Sequence, residues 1–239
     1  MTAPLAQPLV WVGLMDLGRL GRDRRSAAVE QRFASRRLAQ VLLMTASGTG
    51  GWTIEIEPSG RPRACHAGST YRCDLSIAHS GTVVAAAVCG RGNVGVDIEW
   101  HKPGRDHRSI ARLAFGPQEE RMAERGGLRS FYRLWTLREA IGKATGRGLA
   151  MVVDGLDRLP AEPHTGHWLS SDREWLLAHL EPRPSLSFAL AMRRDAPGEA
   201  CQWSPDALRW YSQPEVDACL RLTDRSPGGG QHPNARTPV

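Results

Sequence analysis

Asp97 and Glu99 stand two residues apart in Gly95-Val96-Asp97-Ile98-Glu99. Alternate side chains on a strand share a face, so both carboxylates point one way while Val96 and Ile98 point the other. Two hard acids side by side suit Mg²⁺, which takes one or two carboxylates, several waters and substrate phosphates. Gly95 would let another backbone or a ligand come close. The plainer alternative is an edge strand with a solvated acidic face. A second group is Trp135, Glu139 and Lys143, spaced by four and so forming one stripe on a helix. Glu139 would add a third carboxylate to a metal site, and Lys143 would hold a phosphate oxygen; the alternative is a surface ion pair behind a buried Trp. A third is Ser76-Ile77-Ala78-His79-Ser80-Gly81 at a strand end. There, imidazole, hydroxyl and nearby N–H groups could receive a phosphate, unless the segment is only a turn with a satisfied His. Ser80 as an activated nucleophile is disfavoured, because the chain has no Gly-x-Ser-x-Gly elbow around it.

The pattern around these groups predicts the elements that hold them. Val10 to Leu14 reads as a strand, and Asp23 to Met44 as a helix with a basic stretch holding Arg22, Arg24, Arg25, Arg32, Arg36 and Arg37. Trp52 to Glu57 alternates like a half-buried strand and ends at Pro58-Ser59-Gly60. Leu75 to Ala78 is a short strand and Thr82 to Cys89 an apolar one. Val94 to Trp100 is expected to pair back on the latter as a hairpin across Gly90-Arg91-Gly92-Asn93. Lys102-Pro103-Gly104-Arg105 reads as a connector. A helix is expected near Ser109 to Ala114, another starting at Gly116-Pro117, and a long one from Leu128 to Thr145 ended by Gly146-Arg147-Gly148. Leu186 to Met192 reads as a late strand, and from Arg225 onward the composition is that of a disordered tail.

Composition narrows the class. The chain has 239 residues, of which 41% are hydrophobic and 23% charged, enough for a sizeable common core in a soluble protein. The early apolar run Pro8 to Met15 is too short to span a bilayer, so no membrane role and a cytoplasmic location are expected. Five cysteines without finger spacing read as reduced thiols. The formal charge of +6 favours an anionic partner. Only Lys102 and Lys143 are lysines among 31 basic residues. A lysine kept against such a bias points to a place where a compact ammonium does what a guanidinium cannot.

The three segments, in this order, resemble the Sfp-type 4′-phosphopantetheinyl transferases. That family shows a His-Ser turn, then Gly-Val/Ile-Asp-x-Glu, then a Trp-Ser/Thr-x-Lys-Glu-Ala-x-x-Lys helix ending in Gly-x-Gly-Leu. Here they stand as His79-Ser80, Gly95-Val96-Asp97-Ile98-Glu99 and Trp135-Thr136-Leu137-Arg138-Glu139-Ala140-Ile141-Gly142-Lys143, up to Gly146-Arg147-Gly148-Leu149. Gly60-Arg61-Pro62 looks like the family's Gly-Lys/Arg-Pro, and Phe115-Gly116-Pro117-Gln118-Glu119 like its Phe-Ser/Thr-Pro-x-Glu. Arg138 stands where the family usually has Lys. The resemblance runs from about Pro58 to Leu149.

The resemblance implies an α+β fold of two similar lobes related by a pseudo-twofold axis, with the active site in the cleft between them. The expected division is an N-terminal lobe (1–102), a C-terminal lobe (103–200) and a C-terminal extension with the tail (201–239). It also implies transfer of the 4′-phosphopantetheine arm of coenzyme A to a serine of an acidic apo carrier protein, with release of 3′,5′-ADP. The carrier could serve fatty-acid, polyketide or nonribosomal-peptide synthesis. Mg²⁺ would be held by Asp97, Glu99 and Glu139. Lys143 would bind phosphate oxygen, and Glu139, with Glu99 as rival, would take the serine proton. Arg61, His79, Ser80 and one of the N-terminal arginines, Arg25 for preference, would grip the 3′-phosphate and adenosine end. A monomer is expected. Two other classes compete: an Arg-rich nucleic-acid-binding protein and a metal-dependent phosphodiesterase. The first lacks arginines interleaved with aromatics in a recognition motif. The second usually adds His ligands, and only His79 lies near the acids.

Overall fold

The computed structural model describes residues 10–68, 73–146, 166–169, 175–193, 203 and 208–223. The predicted tail and Arg147 to Leu149 lie outside the described residues. Strand β1 (Val10–Asp16) leads into helix α1 (Arg24–Ser47). Asp23 starts this helix by accepting the backbone N–H groups of Arg25 and Ser26, both at 2.9 Å. Gly48, at φ 71°, ends it in the left-handed conformation. A small hairpin follows, β2 (Thr53–Ile56) with β3 (Pro62–Cys65). Next come β4 (Asp74–Ser80), β5 (Val83–Cys89) and β6 (Asn93–Trp100). Helices α2 (His107–Ala114) and α3 (Pro117–Thr145) come next, then β7 (Gly166–Leu169), β8 (Trp175–Arg183), β9 (Leu186–Arg193), β10 (Leu208–Tyr211) and α4 (Gln213–Thr223). The two helices expected after Gly116 are one element broken at Gly127, whose φ of 61° and ψ of −150° interrupt the helical path.

The fold is α+β, as expected, and is built in four layers. One sheet has the order β10-β1-β5-β4, the other β6-β9-β8-β7. The sheets face each other across a shared core in which Val12, Leu14, Ala85 and Ala87 meet Val94, Val96, Ile98, Phe188 and Leu190. Helix α1 covers the outer face of the first sheet with Leu38, Leu42 and Leu43 against Val84, Ala86 and Val88. Helix α3 covers the second with Leu137, Ala140, Ile141 and Ala144 against Trp175, Leu177, Ala189 and Ala191. Among the described residues no helix is long and apolar enough to cross a membrane, and Cys65, Cys73 and Cys219 are free thiols.

Two expectations change. Strand β6 does not fold back on β5; it pairs antiparallel with β9, placing Asp97 opposite Ala189 and Glu99 opposite Ser187. The reason is edge occupancy: β5 is already paired with β1 on one side and β4 on the other, so no edge is left for a hairpin partner. The turn at Gly90 to Gly92 is therefore a crossover between sheets. Nor is the segment after 201 an appendage. Strand β10 adds in parallel to β1, and Val216 of α4 is wholly buried against the α1 side of the sheet.

Candidate active site

The site forms where β4 and β6, each the edge of its own sheet, run side by side. An unpaired strand edge leaves backbone N–H groups that must find acceptors. Here side chains of β4 supply them. Asp74 Oδ2 accepts from Val94 N at 2.8 Å, Ser76 Oγ from Val96 N at 3.1 Å, and Ser80 Oγ from Trp100 N at 3.0 Å. Gly95 is required on the neighbouring side. A Cβ there would lie 1.9 Å from the carbonyl oxygen of Ala140 and 2.6 Å from the amide of Ala144, so its absence lets the last turns of α3 lie directly on β6.

That close approach brings the two chemical groups together. Lys143 Nζ donates to Asp97 Oδ1 at 2.8 Å and to the carbonyl of Val96 at 3.1 Å. Asp97 is only 6% exposed, and its Oδ2 has no hydrogen-bond partner. Burial pushes its carboxyl up to about 7; the nearby charges of Glu139 and Glu99 add to the rise, and Lys143 opposes it. Glu139 is likewise held above the usual carboxylate range, first by burial and further by Glu99, again against Lys143. Glu99 accepts the Ser80 hydroxyl at 2.7 Å. Three acids and one ammonium therefore lie within electrostatic reach of one another, drawn from β6 and α3. As placed, no three His, Cys, Asp or Glu side chains among the described residues form a ready-made metal cage. The donor chemistry nonetheless fits a hard cation. All the donors are oxygens, neighbouring acids raise the proton affinity of Asp97 and Glu139, and the buried Asp97 Oδ2 is unpartnered.

The expected phosphate contacts divide. His79 is exposed beside the cluster; desolvation and the charges of Lys143 and Arg32 hold its imidazole below the usual range, while Glu99 opposes. Ser80 turns the other way: it is 4% exposed, and its hydroxyl is directed to Glu99 rather than to an open cleft. Arg61 is also engaged. Its guanidinium donates to the α3 carbonyls of Lys143 at 2.8 Å and Ala144 at 3.3 Å, and pairs with Asp74 at 2.5 Å, so it caps the helix that carries Lys143. Arg61, Gly60, Ser76, Gly142 and Lys143 line a cleft of about 250 Å³. Arg25 is in the exposed first turn of α1, two turns before Arg32. Arg32 is the arginine that α1 places near His79, next to Gln31, whose side chain donates to the carbonyl of Gly81 at 2.8 Å. The basic stretch was legible in sequence, but which of its arginines meets the His-Ser turn depends on how α1 crosses the sheet.

Sequence reasoning gave Arg138 no role of its own. It is wholly buried, and its Nε lies 3.0 Å from both carboxylate oxygens of Glu119, with Nη2 at 2.5 Å from Oε2. Glu119 also accepts the Gly116 N–H at 2.9 Å, so one acid starts α3 and ties its two halves together. The signal was the Glu of Phe115 to Glu119 and the Arg before Glu139; their pairing across 19 residues was not visible. Trp135, the third member of the helical stripe, is half-buried, stacked on Phe131 and beneath Arg105. A larger cavity, about 500 Å³, lies elsewhere, between α2 and the first half of α3, and holds none of the cluster acids.

Comparison with known proteins fits this geometry. Residues 93–190, from β6 to β9, match the model of the 4′-phosphopantetheinyl transferase superfamily. The chain is 38% identical over 91 residues to the 4′-phosphopantetheinyl transferase AcpT of Salmonella typhi, covering 36% of this chain and 47% of that protein. It is 30% identical over 123 residues to the 4′-phosphopantetheinyl transferase HetI of Nostoc sp., covering 49% and 51%. It is also 30% identical over 136 residues to the 4′-phosphopantetheinyl transferase of Bacillus subtilis, covering 50% and 59%. The matched stretch of this chain thus spans about half the length of these curated relatives. It is the model of the 4′-phosphopantetheinyl transferase superfamily that the segment bearing Asp97, Glu99, Glu139 and Lys143 matches.

Proposed function

We propose that the protein transfers the 4′-phosphopantetheine arm of coenzyme A to a serine hydroxyl of an apo carrier protein, releasing 3′,5′-ADP. The observation that carries this reading is the convergence of Asp97 and Glu99 from β6 with Glu139 and Lys143 from α3, beside a cleft that Lys143 itself lines. The names of the relatives agree with it.

Asp97, Glu99 and Glu139 would hold Mg²⁺, which when bound neutralises charge on a pyrophosphate. The other steps belong to the chain. Lys143 keeps an ammonium at Asp97 and the cleft wall, where it stabilises charge that grows on a phosphate oxygen during transfer. Glu139, half-buried and already biased toward holding a proton, accepts the proton of the incoming serine at its carboxylate. The serine oxygen forms the new bond to the β-phosphorus while the bond to the leaving 3′,5′-ADP breaks, chemistry that asks mainly for positioning and neutralisation of charge. His79 with Arg32 offers donors for the nucleotide phosphate at the rim. The net charge of +6 suits an acidic carrier. The reading implies a cytoplasmic protein acting as a monomer.

The test is direct. The protein is incubated with coenzyme A, Mg²⁺ and a panel of apo carriers of fatty-acid, polyketide and nonribosomal-peptide type. Intact mass should show one added arm on at least one carrier. Absence of the added mass on every carrier, with folded enzyme, overturns the reading.

A further inference from the structure

The three bonds that join the sheets share a register. Asp74 with Val94, Ser76 with Val96 and Ser80 with Trp100 are each 20 residues apart, so β4 and β6 lie in step as a side-chain ladder. Two rungs end on backbone alone or on Arg61. The third does something more. Ser80 Oγ accepts the Trp100 N–H at 3.0 Å and donates its only proton to Glu99 Oε2 at 2.7 Å. A hydroxyl has one proton to give, so receiving an N–H on one side and meeting a carboxylate on the other fixes its direction. Ser80 is 4% exposed and sits before Gly81, whose α-carbon is so close to Trp100 that an added Cβ would lie 2.9 Å from its Cδ1. The rung is therefore walled in on its outer side by the indole that follows Glu99.

We infer that Ser80 is a positioning residue for Glu99: the chain Trp100 N–H to Ser80 O–H to Glu99 Oε2 holds that carboxylate toward the cluster and leaves Oε1 free to bind a cation. The inference rests on the proposed metal role of Glu99. It departs from the expectation that Ser80 grips nucleotide phosphate, because the proton that such a contact would use points at Glu99. Groups that orient a ligating carboxylate typically change metal affinity by about tenfold or more when removed.

The test uses Mn²⁺ as the probe, titrated into the full chain with and without coenzyme A and followed by the electron paramagnetic resonance of the free ion. Ser80→Ala and Ser80→Cys are compared with wild type; the thiol keeps the volume but is a weak donor. Both should weaken Mn²⁺ binding about tenfold, and Ser80→Thr, which keeps the hydroxyl, should restore it. If the Ala variant fails to fold, the Cys variant decides. In turnover the Mg²⁺ requirement should rise while the KM for coenzyme A stays. Wild-type Mn²⁺ affinity in Ser80→Ala or Ser80→Cys, a raised KM for coenzyme A with normal Mn²⁺ binding, or a wild type that binds no Mn²⁺ overturns the inference. A wild type that binds Mn²⁺ with the predicted Ser80 dependence yet transfers no arm overturns the proposed function and supports the Ser80 link.

Discussion

Asp97 is the most constrained titratable group of the cluster, and its sign gives a measurable consequence. Its carboxyl is pushed up to about 7 against an ordinary value of 3.8. The fold thus favours the protonated acid; that stabilisation is present in full below 3.8 and is lost as pH rises through about 7. Asp97→Asn removes a charge that burial penalises. In metal-free buffer its melting temperature should gain on wild type as pH rises from about 4 to 7, with little difference at the acid end and a constant gain above about 7. The same variant should transfer no arm, because it no longer offers a charged ligand. A flat difference across that range would contradict the buried placement. Lys143 has a different constraint: one ammonium spans Asp97 Oδ1 and the Val96 carbonyl. The planar, longer fork of Lys143→Arg cannot place one nitrogen on both, so transfer should fall at least about a hundredfold with little change in melting temperature. Rate measurements at saturating Mg²⁺ check this, and they bear on why a chain so poor in lysine keeps one here.

At the scale of elements, the contact between β6 and α3 decides whether the cluster exists. Gly95→Ala puts a methyl carbon against the backbone of Ala140 and Ala144, which cannot rotate away as a side chain could. The helix must lift, at a cost of about 1–3 kcal/mol in unfolding free energy, and transfer should be lost with it; chemical denaturation and the mass assay read both. Glu119 guards the other end of α3. Glu119→Ala leaves the wholly buried Arg138 without its partner and should destabilise by about 3–5 kcal/mol, visible as a lower denaturation midpoint in a variant whose cluster acids are untouched. Much of this architecture was legible beforehand. The strand runs at Val10, Thr82 and Leu186 and the helix from Leu128 read from their apolar patterns, and Gly95 read as a place of close approach. What failed was long-range pairing. Asn93–Trp100 looked like the return strand of a hairpin because local pattern says which residues are strand, not which edge is vacant; its partner β9 begins 86 residues after Trp100 in sequence. Strand β8 was missed because Trp175 to Arg183 lies buried on both faces over its first half and so shows no alternation. Ser80 and Arg61 were found as polar residues near the site, but their directions depend on neighbours that only the fold supplies.

For the whole molecule, the layered arrangement ties the cleft to parts of the chain that hold no chemistry. The acids and Lys143 belong to the second sheet and its helix, whereas His79, Arg61 and Arg32 come from the first sheet and the elements beside it. The first sheet is completed by β10, which covers the edge of β1, and by α4, whose Val216 is wholly buried and whose Asp217 meets Arg37 of α1 at 2.8 Å. Ending the chain after Trp203 uncovers an edge strand and the apolar surface under α4, a combination that invites aggregation. The expected outcome is loss of soluble protein or a drop of at least about 2 kcal/mol in stability, comparable with a single large-to-small core change. Val216→Asp separates stability from chemistry. It buries a charge on the α1 side of the first sheet and should lower the melting temperature sharply, since an unpaired buried carboxylate is costly. Below its melting range the same variant should bind Mn²⁺ as wild type does, because α3 lies on β6 at Gly95 and packs on β8 and β9 in a cluster that does not include Val216. Loss of Mn²⁺ binding in a still-folded Val216→Asp would show instead that the two sheets and their helices respond as one unit, with the seam between β4 and β6 passing strain from one side to the other.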